Sequence, residues 1–136
     1  MNQEHNIQAA AVRAFRLIFA EYAYMLVNIP NGAKRTRYEA AIAKSEGMTA
    51  GAPDLVLLVP RNGYGHLGIE FKTTSKSSKQ RVSQVLWQQE SERCGNKYVV
   101  VRSVDEFFEE VSAYLGVDNP LQTNSARKQL QTIIKK

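Results

Sequence analysis

Apolar residues recur along this chain of 136 residues with two different periods, which separate its helices from its strands. In residues 3–24 they return at the spacing of one helix face, which predicts an opening amphipathic helix. Residues 54–60 and 66–72 are instead apolar runs rich in β-forming side chains. The Asn62-Gly63 step between these runs favours a tight turn, so together they predict an antiparallel hairpin.

Shorter segments around the hairpin complete an alternating order of helices and strands. We expect strands at 25–29 and 98–101, and helices at 35–46, 79–93 and 103–115. The last helix opens with Ser103 and Glu106 at the spacing of a capping box. The apolar run 98–101 follows a helix, as a buried strand reached by a helical crossover does. The order predicts an α/β fold with a small mixed sheet flanked by helices.

Three ionisable residues lie among the apolar neighbours of the predicted hairpin. With the turn centred near residue 62 or 63, Asp54 falls opposite Glu70 or Lys72. Side chains alternate along a strand, so Glu70 and Lys72 share one face. Burying such charges costs several kcal/mol unless they are paired or bind a cation. Mg²⁺ prefers oxygen ligands, so the trio predicts metal-dependent phosphodiester hydrolysis. The alternative is a solvated Glu–Lys pair, with Asp54 capping a turn.

Basic residues are clustered on either side of the predicted site. The formal net charge is +5 and the pI is about 9.4, which favours an anionic partner. We expect DNA contacts from a turn asparagine and two basic clusters, namely Asn31, Lys34, Arg35 and Arg37, and Lys76, Lys79 and Arg81. Such contacts make affinity strongly dependent on salt. A solvated basic face has the same composition, and an asparagine before glycine needs only its turn.

Composition favours a globular protein of the cytoplasm. The apolar fraction of 43% is ordinary for a globular domain. Membrane association is not expected, because no apolar run approaches the length of a membrane span. The amino terminus is polar where a secretory signal would be apolar. The single cysteine, Cys94, cannot form an internal disulfide, and we expect a buried or half-buried helix residue without a chemical role.

A series of short motifs runs through the chain in a characteristic order. The motifs are Glu4 with Ile7 and Gln8, Pro30-Asn31-Gly32, Gly51-Ala52-Pro53-Asp54, Glu70-Phe71-Lys72, and Gln84 three residues before Trp87. In order and spacing they resemble the virus-type replication-repair nuclease (VRR-NUC) domain of the PD-(D/E)xK nuclease superfamily. The resemblance covers roughly residues 1–115 and implies a restriction-endonuclease-like core.

The resemblance implies a role for each residue of the acidic motifs. Asp54 and Glu70 would ligate Mg²⁺, with Mn²⁺ as a possible substitute. The backbone carbonyl of Phe71 would supply a further ligand, and Lys72 would be the catalytic lysine. This assignment agrees with the chemistry inferred from the hairpin alone.

Two helix residues also match the family pattern. Glu4 matches an acid that lies close to the metal ions or their water, and Gln84 matches a polar residue that faces the site. One position departs from the pattern: family members often carry serine where this chain has Arg81. This departure leaves Asp54, Glu70 and Lys72 unchanged and concerns the start of the helix that carries Gln84.

The function that the resemblance implies is a DNA endonuclease acting on branched DNA, such as four-way junctions, during phage or bacterial replication and repair. Stand-alone members of the family look like symmetric dimers, so the resemblance implies a homodimer. Three alternatives are a non-catalytic DNA-binding protein on a nuclease fold, a flap- or exonuclease-type enzyme, and a restriction-type enzyme that reads a sequence. We expect a nuclease domain at 1–116 and a basic tail or short docking helix at 117–136.

Overall fold

The computed structural model describes residues 2–30, 36–75 and 79–122, together with 127, 128, 131 and 132. The helices are α1 (Gln3–Ile18), α2 (Arg37–Ser45), α3 (Val82–Arg93) and α4 (Val104–Leu115), with 3-10 helices at Ala20–Met25 and Pro120–Gln122. The strands are β1 (Leu26–Asn28), β2 (Leu55–Leu57), β3 (Leu67–Phe71) and β4 (Lys97–Val101). The predicted α/β class and element order are confirmed. The opening helix is shorter than expected, because its last two turns form the first 3-10 helix.

The four strands form one mixed sheet in the order β1-β2-β3-β4. The pairs β1–β2 and β2–β3 are antiparallel, and β3–β4 is parallel, with α3 as the crossover between them. The hairpin pairs Leu55 with Ile69, so Asp54, one residue before β2, lies across from Glu70. The predicted hairpin and crossover strand are both confirmed.

The hairpin closes in a two-residue turn, but its strands pair one residue out of step with that turn. Continued pairing from the Arg61–Tyr64 bridge would place Leu55 opposite Glu70, whereas the structure places it opposite Ile69. Asn62 and Gly63 both have positive φ angles, 51° and 83°, as a two-residue turn of the type favoured in hairpins requires. A bridge between Arg61 and Tyr64 closes the turn. The paired part of the hairpin is shorter than the two predicted runs, because regular pairing begins only beyond this bridge.

The core lies between one face of the sheet and the helices α1 and α4. On β3 the alternate residues Leu67, Ile69 and Phe71 point into it. They meet a cluster of helix aromatics whose members are Phe15, Phe19, Phe107 and Phe108. Helix α3 covers the opposite face of the sheet, where it packs on β4. Both faces of β3 are therefore buried, although only one faces the apolar core.

The ends of α4 follow the expected signals. The Ser103 hydroxyl accepts a hydrogen bond from the Glu106 amide at 3.1 Å. The Glu106 carboxylate accepts one from the Arg102 amide, one residue earlier than a standard capping box. Beyond the helix, Leu121 is buried in the same core and its carbonyl accepts a hydrogen bond from Arg127. The division at residue 116 stays a prediction.

The expectation for Cys94 is wrong. This residue is exposed at the C-terminal cap of α3. The reason is that α3 is half-exposed along much of its length, and Ser91 is its one fully buried residue within Val82–Arg93. No helix in the described parts of the chain has the length and apolarity to cross a bilayer.

Candidate active site

Two carboxyl groups adjoin at the open end of the hairpin. Asp54 precedes β2 and its Oδ2 accepts a hydrogen bond from the Phe71 amide at 2.8 Å. Glu70 lies across from it on β3, with 4% of its surface exposed. The charge of Asp54 acts directly on Glu70, so the two carboxyl groups are close neighbours. The sheet register therefore brings together the two acids that the sequence singled out.

Electrostatics at this pair are unfavourable for two negative charges. Burial, followed by the charge of Asp54, raises the pKa of Glu70 to about 8. The Lys72 ammonium lowers this pKa, and the Glu4 carboxylate raises it. At neutral pH Glu70 therefore retains a proton unless a cation balances the charge of the pair.

Lys72 and Glu4 complete the group from two further positions. Lys72 follows β3 directly and has 7% of its surface exposed. Its amide donates to the Val101 carbonyl at 3.0 Å, which extends the β3–β4 ladder to this residue. Glu4, in the first turn of α1, is half-buried and lines the same groove as Asp54. The structure thus brings both predicted residues to the carboxyl pair.

Gln84 links the start of α3 to Glu70 through the oxygen and the nitrogen of its side-chain amide. Its Nε2 donates to Glu70 Oε1 at 2.9 Å, and its Oε1 accepts from the Arg81 amide at 2.8 Å. The helix starts at Val82, with Arg81 as its N-cap. Arginine has no side-chain oxygen that could accept from a helix amide as the family's serine would, so the cap has only the bond in which the Arg81 amide donates to Gln84 Oε1.

Gly51 belongs to the motif before Asp54, and its contact with α3 explains why this residue is glycine. Gly51 has φ +90°, and a Cβ added there would lie 2.1 Å from the Ser83 carbonyl oxygen. Only glycine allows the loop before Asp54 and the first turn of α3 to approach this closely. The close approach fixes Gln84 relative to the hairpin.

Asn28 and Tyr98 are site neighbours that sequence reasoning missed. The Asp54 carbonyl accepts hydrogen bonds from Asn28 Nδ2 at 3.2 Å and from the Ile29 amide at 3.0 Å. Tyr98 pairs with Gly68 in the parallel ladder, and burial and the charge of Glu70 raise the pKa of its hydroxyl. Both residues reach the site through strand pairing between distant segments, for which the sequence gives no local signal.

The carboxyl pair fits a divalent cation. Glu70 Oε2 is buried and has no hydrogen-bond partner among the described residues. A buried oxygen of this kind, beside a second acid, lacks a positive partner. The described residues contain no group of three or more His, Cys, Asp or Glu side chains that could hold a metal. A cation here would therefore rely on two carboxylates, a backbone carbonyl and water, a set that suits Mg²⁺.

The predicted DNA-binding residues divide between described and undescribed parts of the chain. Arg37 is exposed at the start of α2, and Lys79 and Arg81 are exposed just before α3. The remaining four, Asn31, Lys34, Arg35 and Lys76, lie outside the described residues. Arg81 adjoins the site through its contact with Gln84. The path of a bound DNA backbone remains a prediction.

The fold matches that of a known nuclease domain. No protein-family model matches this sequence. No curated protein matches it either. Among solved structures, a VRR_NUC domain protein superposes with a TM-score of 0.68, covering 88% of this chain and 93% of its own, at 20% identity. At this identity the likeness concerns the fold, and it confirms the restriction-endonuclease-like fold and the VRR-NUC resemblance inferred from the motifs.

Proposed function

We propose that this protein is a magnesium-dependent deoxyribonuclease that hydrolyses phosphodiester bonds in branched DNA, with four-way junctions as the expected substrate. The observation that carries the proposal is the pair of adjoining carboxyl groups of half-buried Asp54 and buried Glu70 beside the Lys72 ammonium. Two acids and a lysine in this arrangement are costly to folding and useful to phosphodiester chemistry. The shared fold with a VRR_NUC domain protein supports the nuclease class.

Asp54, Glu70 and the Phe71 carbonyl would hold Mg²⁺, with Mn²⁺ as a possible substitute. When bound there, the ion would polarise the phosphate and lower the pKa of a bound water. The protein's own groups would do the rest. Gln84 holds Glu70 by Oε1 and leaves Oε2 for the cation. Lys72 places a positive charge where negative charge develops on the phosphate.

Glu4 would act on the water side of the site. It lines the groove together with Asp54, and its charge is felt at Glu70. A carboxylate in this position can accept a hydrogen bond from the attacking water and so orient it. We assign Glu4 this orienting role and Gln84 the task of positioning Glu70.

Substrate binding in this proposal relies on the DNA backbone. The basic residues of the two predicted clusters would contact phosphates, and such contacts respond to the shape of the DNA and not to its sequence. The proposed DNA-binding residues, with the turn asparagine, are Asn31, Lys34, Arg35, Arg37, Lys76, Lys79 and Arg81. A homodimer would present two sites to the opposed strands of a junction. We propose it on the strength of the family resemblance.

Cleavage of synthetic DNA structures tests the proposal. We expect the wild-type protein to cut a four-way junction or flap faster than a plain duplex in Mg²⁺, and to stop when EDTA is added. Asp54→Asn and Lys72→Met should each lower the rate by at least about 100-fold, because each removes a group that stabilises charge. Arg93→Gln, an exposed change at the far end of α3, is the control. Wild-type rates in either site variant would contradict the assigned roles, and DNA binding without any cleavage would favour a non-catalytic protein.

A further inference from the structure

A groove of about 1190 Å³ runs from Asp54, one member of the carboxyl pair, along α1. Its inner end is lined by Glu4 and Asp54, and its far wall is formed by β1 and the residues after it, such as Asn28 and Ile29. The groove is thus continuous with the candidate active site. None of the described residues of the two basic clusters lines this groove.

One face of α1 is devoted to this groove. Its groove-lining residues recur at helical spacing, namely His5, Gln8, Ala9, Val12, Arg13 and Arg16. The buried residues Ala11, Ala14 and Phe15 occupy a different face and pack into the core. Core packing accounts for the residues of this buried face. It does not account for the polar and small residues on the face that lines the groove. Ala9 is exposed and small, which keeps the middle of the groove open.

Charge changes sign along the groove. The carboxylates lie at one end, while Arg13 and Arg16 line the other and are exposed. At 1.5 Å per helical residue, these arginines lie roughly 14 Å and 18 Å along the axis from Glu4. A phosphate chain that passes over the carboxyl pair would reach both arginines within a few nucleotides. The arrangement is complementary to a polyanion whose cleaved bond lies at the acidic end.

The width of the groove favours one strand over two. Its walls are α1 and the edge strand β1. Packed layers of secondary structure lie about 10 Å apart, which admits one sugar-phosphate backbone, whereas the major groove of B-DNA alone is about 12 Å wide. The described lining contains apolar residues such as Val12 and Leu26, and its one aromatic ring is the imidazole of His5. Stacking on a single ring adds little, so backbone contacts are the main source of affinity.

We propose that this groove binds one unpaired strand of DNA by its sugar-phosphate backbone, with Arg13 and Arg16 on the phosphates, and leads that strand to the carboxyl pair. The inference rests on the proposed nuclease function, because cleavage at the carboxyl pair gives the groove its direction. It adds to that function a binding site and a substrate feature: the branched substrate presents an unpaired strand beside the bond that is cut.

Binding of a labelled single-stranded oligonucleotide, measured by fluorescence anisotropy in metal-free buffer, tests the groove without any cleavage. We expect Arg16→Gln to weaken binding about five-fold near 0.1 M salt and to reduce the slope of log affinity against log salt by about 0.7. The matched control is Arg93→Gln, because Arg16 and Arg93 both occupy the last turn of a helix but lie on opposite sides of the sheet. It should change binding by less than two-fold.

A second pair of variants tests the groove by filling it. Ala9→Glu places a negative charge in the middle of the groove, and Ala113→Glu does the same at an exposed helical alanine outside it. Only the first should weaken binding, by about ten-fold, with both proteins folded by circular dichroism. The proposal is overturned if Arg16→Gln equals Arg93→Gln, or if a blunt duplex loses as much affinity as the single strand. If the variants bind as expected but the wild-type protein cuts no DNA, the proposed nuclease function is wrong and the proposed strand-binding groove is supported.

Discussion

The two ends of the β2–β3 hairpin hold charged side chains in opposite ways. At the turn end, the Arg61 guanidinium donates to the Tyr22 hydroxyl and to the Pro60 carbonyl, both at 2.8 Å, and lies 5.6 Å from the centre of the Tyr22 ring. At the other end, Asp54 and Glu70 place two acids side by side, and Glu70 Oε2 has no partner among the described residues.

The difference separates a stabilising contact from a candidate functional one. A single cation with neutral oxygen acceptors and a ring is a satisfied arrangement. A buried acid, Glu70, beside the half-buried Asp54 is an unsatisfied arrangement that persists because the surrounding sheet and α3 hold both side chains in place. Unfavourable charge of this kind is typical of sites that receive a ligand of the opposite sign. The stabilising contact of the hairpin thus lies at the turn, and the candidate functional residues lie at the open end.

The largest expected effect is on cleavage, and it should follow only one end of the hairpin. Glu70→Gln should lower the initial rate on branched DNA in Mg²⁺ by about 100- to 1000-fold, because it removes a charged ligand from the proposed site. Arg61→Gln changes a charge at the turn end and should leave the rate within about two-fold. Equal losses in the two variants would break the comparison.

The next effect is on stability against pH. Burial raises the pKa of Glu70 from the ordinary 4.5 to about 8 in the folded protein, so the folded state holds this proton more tightly than the unfolded state. The contribution of Glu70 to the free energy of unfolding should therefore fall by roughly 3 kcal/mol as pH rises from 5 to 8 without metal. Urea denaturation of wild type and Glu70→Gln gives this contribution as a difference. Parallel stability curves for the two proteins would contradict it.

A backbone contact gives the third effect. Gly51→Ala should lower the free energy of unfolding by about 2–3 kcal/mol, because the added Cβ meets the Ser83 carbonyl at positive φ. Gly95→Ala is the matched control: its φ is +88°, and a Cβ there has no described atom within 4 Å. It should cost only about 1 kcal/mol. Similar losses by urea denaturation would show that the close approach of α3 contributes nothing.

The smallest effect tests the turn end alone. The Tyr114 hydroxyl donates to the Val59 carbonyl at 2.6 Å, and both residues are buried. Tyr114→Phe should lower the free energy of unfolding by about 1–2 kcal/mol, since it leaves this carbonyl without its donor. Cleavage of branched DNA should be unchanged in the folded variant. A selective loss of cleavage would show that the two ends of the hairpin are coupled.

Much of the fold and the meeting of the acids could be predicted from local signals. Asn62-Gly63 selects a two-residue turn, which sets the register to within one residue, and one extra residue between β2 and the turn brings Asp54 across from Glu70. Alternation then places Phe71 in the core and Glu70 on the opposite face, as observed. The resemblance to VRR-NUC domains is confirmed at the level of the fold. The roles assigned to the individual site residues stay predictions, since geometry alone does not establish catalysis.

What could not be predicted depends on how α3 packs across the sheet. The contact between Gly51 and Ser83 and the double role of Gln84 arise from segments far apart in sequence. The approach of Tyr98 to Glu70 arises from the parallel register. The expectation of a buried or half-buried Cys94 is wrong for the same reason. A helix pattern in the sequence does not show how many turns of that helix pack against the sheet.

Calorimetric titration of Mg²⁺ into metal-free protein at pH 7, in buffers of different ionisation enthalpy, tests most directly whether the carboxyl pair binds a cation. With the pKa of Glu70 at about 8, the wild-type protein should bind Mg²⁺ and release nearly one proton for each site filled. Glu70→Gln should lose both the binding and the proton release. A wild-type protein that binds no divalent ion, or a Glu70→Gln variant that binds it equally well, would contradict the account.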